Sequence, residues 1–101
     1  MEKVNFLPLG SVVLLNRGVR KLIIVARGIR SKEGDDDVFY DYGGLIYPHG
    51  LISDQMAYFN NDSIEKVFFE GYRDSEDETL VRGLNKYIED HPELKRRKFD
   101  D

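Results

Sequence analysis

The sequence predicts a mainly β protein of the α+β class, with a small, strongly bent antiparallel sheet of about five strands, or an SH3-like barrel, and one C-terminal helix. Short apolar runs rich in β-branched and aromatic residues, separated by turn residues, fill positions 6–72 and indicate strands. A single apolar stripe with helical spacing follows at 75–90. A chain of 101 residues, of which 41% are hydrophobic, is large enough for one core. We therefore predict a single domain over residues 1–101, with a frayed basic tail at 92–101.

The first two strands are predicted to form a hairpin at the centre of the sheet. Ser11–Leu15 and Arg20–Arg27 are separated by about four residues, a connection so short that the strands must pair in antiparallel fashion. Both runs are nearly continuous in apolar residues and do not alternate with polar ones. Such runs are typical of strands whose two faces are both at least partly covered.

A loop and three further strands are predicted after this hairpin. Residues 29–37 hold no apolar side chain after Ile29, which predicts an exposed loop. Its three consecutive aspartates lack the alternating ligands, glycine and glutamate of a calcium-binding loop, so no metal site is predicted. The remaining strands are predicted at 38–44, 56–59 and 64–72, with one helical turn at 60–63 before the last of them.

The C-terminal helix is predicted from its first residues and from its apolar spacing. Ser75 as N-cap and Glu78 three residues later form a capping-box pattern, and Pro92 ends the helix. The apolar stripe consists of Leu80, Val81, Leu84, Tyr87 and Ile88. A stripe of this kind packs on its own sheet or on another protein, and a homodimer through it stays open as an alternative.

The aromatic segment 38–50 predicts a recognition surface. In a strand with a period of two residues, Tyr40 and Tyr42 lie on one face, so at least one aromatic pair of this strand can face outward. The open alternative is that both faces are covered, one by the core and one by the helix. The side chains that we predict as protein-binding anchors are Tyr40, Tyr42, Tyr47, His49, Phe68 and Tyr72.

Several classes of function are disfavoured by what the sequence lacks. It contains no cysteine, and His49 and His91 stand without a recognisable nucleophile and orienting acid, so no enzymatic activity and no cofactor are predicted. Gly43-Gly44 has neither the lysine nor the following helix of a phosphate-binding loop. The absence of a signal peptide and of a membrane-spanning apolar run predicts a cytoplasmic protein without a membrane partner.

Charge is distributed unevenly along the chain, whose net charge is -4. Residues 1–34 carry seven Lys/Arg against two Asp/Glu, residues 35–90 carry four against fourteen, and residues 91–101 carry four against three. The acidic middle would repel phosphate groups, so nucleic-acid binding is disfavoured. A protein partner with the opposite charge pattern is predicted instead.

Three spaced motifs of the chain resemble those of a known family of small proteins. They are Leu-Pro-Leu-Gly-Ser-Val at 7–12, Tyr-Pro-His-Gly at 47–50 and Val-Phe-Phe-Glu-Gly-Tyr at 67–72. In these motifs, and in their order from Phe6 to Tyr72, the chain resembles domain of unknown function 4176. The resemblance implies a Gram-positive bacterial protein encoded beside type VII secretion genes, near toxins that carry an LXG export domain. It also implies a cytosolic accessory factor or chaperone for such a toxin, without enzymatic activity.

Two other functions stay open from the residues themselves. An immunity protein would block the active site of a toxin, with the acidic stretch Asp74–Glu78 as a mimic of an anionic substrate. An RNA-binding barrel would use the cations Arg17, Arg20, Lys21, Arg27 and Arg30. The net acidity of the chain makes RNA binding the least favoured of the three functions.

Overall fold

The computed structural model describes residues 3–96 and contains one antiparallel sheet and one long helix. The strands are β1 (Val12–Leu15), β2 (Leu22–Glu33), β3 (Asp36–Ile46), β4 (Ala57–Phe59) and β5 (Ile64–Phe69); a single 3₁₀ turn (Asn61–Ser63) precedes β5, and helix α1 (Ser75–Asp90) follows it. The mainly β prediction, with five strands and a C-terminal helix, is confirmed. The strand order is β4-β3-β2-β1-β5, so the sheet is open, β4 and β5 are its edges in the described part, and the SH3-like barrel is not formed.

The hairpin of β1 and β2 is present and central, as predicted. Val12 pairs with Ile23 in antiparallel register, and β2 lies in the middle of the sheet. The buried residues of the hairpin belong to a single core and are Val13, Leu15, Leu22 and Ile24. The core therefore lies on one side of these strands.

The predicted loop at 29–37 is wrong, because β2 and β3 continue through it as paired strands. Glu33 pairs with Asp36 across a two-residue turn, in which Gly34 has a φ of +63°. A glycine with positive φ at the first position of such a turn matches the twist of the flanking strands. The acidic end of the hairpin is partly neutralised, since Asp36 lies 3.1 Å from Lys95.

Helix α1 closes the core of its own sheet. Its apolar residues pack with the buried strand residues, and they are Val81, Leu84, Tyr87 and Ile88. A buried ion pair joins the helix to β2, with 2.6 Å between Arg27 Nη2 and Asp77 Oδ1. The predicted stripe is thus covered within the monomer, except for Leu80, which is 49% exposed.

The helix begins at a different cap from the one predicted. Asp74, and not Ser75, is the N-cap, and its side chain accepts a hydrogen bond from the backbone N–H of Asp77 at 3.1 Å. Aspartate and serine are about equally favourable N-cap residues, so the local sequence does not determine whether Asp74 or Ser75 is the N-cap. The Asp77 carboxylate then binds Arg27 and Arg73 at the same end of the helix.

The N-terminal segment is tied to both the helix and the sheet. The side chain of Asn85 accepts a hydrogen bond from Val4 N at 2.7 Å and donates one to Val4 O at 3.0 Å. The backbone N–H of Leu7 donates to the hydroxyl of Tyr42 at 2.9 Å. Phe6, between these two attachments, is only 1% exposed, so the segment supplies part of the core.

The predicted frayed tail is wrong for residues 92–96. Lys95 pairs with the edge of β3 through backbone hydrogen bonds of 2.8 and 2.9 Å, and Arg96 lies 2.6 Å from the buried carboxylate of Asp41. A buried carboxylate requires a compensating cation, and the basic tail supplies one from a distant part of the sequence. Residues 97–101 of the same prediction lie outside the described residues.

Gly71 approaches the N-terminal turn so closely that a side chain has no room. A Cβ atom at this position would lie 2.0 Å from the carbonyl oxygen of Leu9. We expect Gly71→Ala to lower the free energy of unfolding by about 2–3 kcal/mol, because the backbone at residue 71 must move away from that of Leu9 to make room for the methyl group. Urea denaturation measures the loss. Gly83→Ala in α1, where nothing lies near the added methyl group, is the control and should gain about 1 kcal/mol. A Gly71→Ala protein as stable as the wild type would contradict this packing.

The tight turn at 52–55 holds two non-glycine residues in the left-handed conformation. Ser53 has a φ of 54° and Asp54 a φ of 57°. Turns with two positive φ angles favour glycine at the second position, since a side chain there is strained. We expect Asp54→Gly to raise the free energy of unfolding by about 1 kcal/mol and the Tm by about 4 °C. Thermal melting measures the shift. Asp62→Gly is the control, because Asp62 does not have a positive φ and glycine there should lower the Tm. Equal shifts in the two variants would show that the backbone of Asp54 is not strained.

Candidate functional site

One face of the sheet has no cover along β1, β5 and the start of β2 in the described part of the chain, whereas β3 is buried on both sides from Asp41 to Gly44. The core, helix α1 and the N-terminal segment lie on the other face. Val12 is opposite Ile23, Ile23 is opposite Leu45, and opposed residues of a ladder point to the same side. The half-buried side chains on this side are Val12 and Leu14 of β1, Ile23 of β2 and Leu45 of β3. We call the outer face the surface formed by these four residues and by Lys21, Tyr47, Lys66, Phe68 and Phe69 around them.

The outer face is apolar at positions where a solvated sheet carries polar residues. An antiparallel sheet with one face in water normally alternates apolar and polar side chains along each strand. Strand β1 reads Val-Val-Leu-Leu, however, and β2 begins Leu-Ile-Ile-Val. Both sides of these strands are suited to burial, while residues 3–96 bury only one of them. The outer face therefore has the composition of a surface that a second molecule covers.

Two aromatic rings and two lysines surround the apolar centre of the outer face. The Nζ atom of Lys21 lies 5.0 Å from the centre of the Phe68 ring and 5.8 Å from that of Tyr47. The Nζ atom of Lys66 lies 4.9 Å from the Phe68 ring. A cation over an aromatic ring is attracted by about 0.5–1 kcal/mol at an exposed site, which restricts the motion of both groups. The rings nevertheless remain 43% exposed for Phe68 and 45% for Tyr47.

A bulge in β5 exposes two consecutive phenylalanines. Val67 pairs with Val13. Phe69 pairs with Val12, so Phe68 is an extra residue opposite β1. A bulge bends its strand and redirects the side chains within it. This explains why Phe68, which breaks the alternation of the predicted strand, lies exposed beside Phe69.

The structure brings three of the predicted anchors together. The Lys21 ammonium group lies over the rings of both Tyr47 and Phe68. His49 follows in the adjoining turn, where its Nδ1 atom is 3.3 Å from Nη2 of Arg20. The turn at the end of β3 and the edge strand β5 thus contribute to one surface, and Lys21 links them.

Tyr42 is buried, so its prediction as an exposed anchor is wrong. Its side chain is 0% exposed, and its ring centre lies 6.0 Å from that of Phe6 and 5.3 Å from that of Phe59. Its hydroxyl donates to Asn61 Oδ1 at 2.6 Å and accepts from the N–H of Leu7. Burial raises the pKa of Tyr42 to about 12. Alternation shows which residues share a face of a strand, but it does not show which face is inside.

The two remaining predicted anchors lie apart from this group. Tyr40 is half-buried, stacks on Tyr58 of β4 with 5.6 Å between ring centres, and donates its hydroxyl proton to Glu33 at 2.7 Å. Tyr72 follows the end of β5 and is 80% exposed. The set of anchors predicted from aromatic content therefore divides into one surface cluster, one core residue and two separate side chains.

The sequence did not indicate the aliphatic centre of the outer face or its lysines as part of a protein-binding site. The available signal was the continuous apolar character of β1 and β2, which predicted two covered faces. Lys21 and Phe68 are distant in the sequence, and they meet because β5 pairs with β1 at the edge of the sheet. That strand order is a property of the fold and has no local signature.

Asp41 of β3 is a fully buried carboxylate that joins the strand to Arg96 and to the 3₁₀ turn. Its two oxygens accept hydrogen bonds from Arg96 Nη2 at 2.6 and 2.7 Å, and one also accepts from the N–H of Asn61 at 2.7 Å. Loss of solvation raises the pKa of Asp41 above its ordinary value of 3.8, although Asn61 and Arg96 oppose the shift.

The raised pKa of Asp41 predicts a pH dependence of stability. A carboxyl group with a higher pKa in the folded state binds its proton more tightly there than in the unfolded chain. Its contribution to stability therefore falls as the pH rises from 3.8 through the folded-state pKa. Asparagine does not titrate, so Asp41→Asn lacks this fall. The free energy of unfolding of the wild type should therefore decline with rising pH relative to that of the variant across this range. Urea denaturation at several pH values measures the difference, and a constant difference would contradict the raised pKa.

The model of a family described as a domain of unknown function (DUF4176) matches residues 6–80. No curated protein and no solved structure matches the chain. Among residues 3–96, no group of three or more acidic or histidine residues could hold a metal ion, and no helix is long and apolar enough to cross a membrane.

Proposed function

Since the chain belongs to the family of domain of unknown function 4176, we propose that it is a non-enzymatic binding protein that holds another protein on its outer face. The proposed partner is a toxin with an LXG domain that leaves the cell by type VII secretion, or the export complex of such a toxin. Binding takes place in the cytoplasm before secretion, and the chain acts as an accessory factor or chaperone. The family resemblance supports this choice of partner, and the outer face supports the mode of binding.

The observation that carries the proposal is the uncovered apolar side of the central strands. Val12, Leu14 and Ile23 occupy positions that a partner would remove from water, at about 25 cal/mol per Å² of apolar area. Phe68 and Tyr47 add large aromatic surfaces, the kind of side chain that dominates binding energy at protein interfaces. The lysine contacts hold these rings before binding, which reduces the entropy lost on association.

The internal contacts of the arginines disfavour RNA as the partner. The side chain of Arg27 is 3% exposed and bound to Asp77. Arg30 lies 3.4 Å from Asp37 and donates to the hydroxyl of Tyr87 at 2.8 Å. Two of the five cations that an RNA site would use are therefore engaged within the fold. The net charge of -4 adds a general repulsion of phosphate.

The acidic stretch that an immunity protein would use is also partly engaged. Asp74 caps helix α1, and Asp77 binds two arginines. Glu76 and Glu78 are the acidic residues of the stretch that stay exposed. Protection of cells that express the isolated toxin domain separates the two functions, because an immunity protein must block the toxin's activity and an export chaperone need not.

Purification of the tagged protein from its own host tests the proposal. We expect a toxin with an LXG domain, or a component of its export complex, to co-purify in stoichiometric amount and to be identified by mass spectrometry. The same experiment with Phe68→Ala should recover less of this protein, because the ring lies at the centre of the lysine contacts. Recovery of RNA, or of no protein at all, would contradict the proposed function.

A further inference from the structure

The fold shows how a helix is held on the side of the sheet opposite the outer face. Helix α1 has 16 residues and an acidic first turn. Its stripe residues Val81, Leu84 and Ile88 pack on the core. The carboxylate of Asp77 in that first turn binds Arg27 of β2 at 2.6 Å. An apolar stripe and a carboxylate that meets a strand cation are therefore two of the contacts that hold a helix on this sheet.

The outer face offers the same two elements without an occupant in the described chain. Its apolar centre runs across β5, β1, β2 and β3, about 14 Å at the usual strand spacing, and a helix with its side chains is about 10 Å wide. The ammonium groups of Lys21 and Lys66 both lie over the ring of Phe68. Within residues 3–96, neither lysine has a carboxylate within ion-pair distance.

We infer that the outer face receives an amphipathic helix of the partner protein, whose apolar stripe packs on Val12, Leu14 and Ile23 and whose carboxylates pair with Lys21 and Lys66. This inference rests on the proposed function and specifies the partner segment. A second layer of helix on an apolar sheet is the common way to bury such a face. Carboxylates complement the two lysines, whereas a basic helix would be repelled by them.

The edge of β5 favours a helix on the face over a strand added at the edge. The bulge at Phe68 interrupts the regular spacing of the strand, and irregular edges resist pairing with another strand. Glu65, Lys66 and Glu70 place charges along the same edge, which also opposes strand addition. The exposed aromatic surface of β5 is thus more accessible from the face than from the edge.

Site-specific photo-crosslinking of the full chain in its host tests the inference. The crosslinker p-benzoylphenylalanine replaces Phe68 in one variant and Tyr47 in a second, so the test survives if one of them fails to fold. The same residue at Leu80, exposed on α1, is the control. We expect the two outer-face variants to crosslink to a partner peptide with an apolar helical repeat and acidic residues, and the control to give no such product.

The possible crosslinks separate this inference from the proposed function. A crosslink to an extended peptide, to RNA or to a second copy of this chain overturns the helical occupant. Recovery of the partner with crosslinks only from the Leu80 control overturns the outer face as the site while the proposed function stands. If no partner is recovered with any variant or with the wild type, the proposed function fails and this inference fails with it.

Charge reversal tests the predicted carboxylates in the same complex. We expect Lys21→Glu combined with Lys66→Glu to weaken binding of the crosslinked partner about tenfold at low salt, with a smaller effect at high salt. Exchange of the acidic residues in the crosslinked peptide for lysine should restore the affinity of this variant. Unchanged affinity after charge reversal, or no recovery after the exchange, overturns the ion pairs between the helix and the outer face.

Discussion

Asp41→Ala is expected to lower the free energy of unfolding by about 3 kcal/mol. The carboxylate accepts two hydrogen bonds from Arg96 and one from the N–H of Asn61, in a site without solvent access. Alanine leaves a cation and a backbone donor unpaired, and removal of one partner from a buried ion pair costs about 3–5 kcal/mol. The lower end of that range applies here, because the Arg96 side chain is 27% exposed and water can solvate it in part.

Urea denaturation measures this loss against a matched control. Glu89→Ala removes an exposed carboxylate from α1 and should stay within about 0.5 kcal/mol of the wild type. The double variant Asp41→Ala with Arg96→Ala should lose less than the sum of the two single losses, since it leaves neither charge uncompensated. An Asp41→Ala protein that loses under about 1 kcal/mol would show that the pair does not stabilise the fold in this way.

The sequence predicted the elements that local patterns determine and missed those that depend on distant contacts. The apolar runs of β1 and β2 and the stripe of α1 follow directly from spacing, and the structure contains all three. The polar end of the β2–β3 hairpin has no such pattern. The two strands stay paired from Leu22 opposite Ile46 to Glu33 opposite Asp36. The register that the apolar part sets therefore also determines the pairing of the polar part.

The order of the tail was not predictable for a similar reason. Arg96 belongs to a short basic run that, taken alone, resembles a solvated terminus. Its position is fixed by Asp41, and the burial of Asp41 depends in turn on how β3 and the 3₁₀ turn pack together. A contact between two charges so far apart in the chain leaves no trace in composition or periodicity.

The candidate site was predictable in its chemistry and only partly in its position. Aromatic content pointed to Tyr47 and Phe68, which meet on the outer face, and to Tyr42, which is buried. The continuous apolar strands indicated that both sides of the sheet need cover. A closed barrel would have covered these strands from within the chain, but the sheet has the open order β4-β3-β2-β1-β5. The second side of β1 and of the start of β2 is therefore only half-buried by residues 3–96.

Replacement of both Phe68 and Tyr47 by alanine is expected to weaken binding of the co-purified partner at least about 100-fold, with the monomer still folded. Interface aromatics that become buried on binding contribute about 2 kcal/mol or more each when they are hot spots. Both rings are nearly half exposed in the free protein, so their removal costs the fold little. Their loss also leaves the ammonium group of Lys21 without the rings that hold it in place.

Calorimetric titration of the purified partner measures the loss of affinity, and thermal melting checks that the variant is folded. Leu80→Ala is the matched control, because Leu80 is 49% exposed but lies on α1, and its affinity should equal that of the wild type. Full affinity in the double variant would exclude the outer face as the binding surface. A loss in Tyr58→Ala alone would place the partner at β4, the opposite edge from β5, where Tyr58 stacks on Tyr40. These substitutions can thus distinguish the two edges of the open sheet, because Phe68 lies on β5 and Tyr58 lies on β4 and both are exposed.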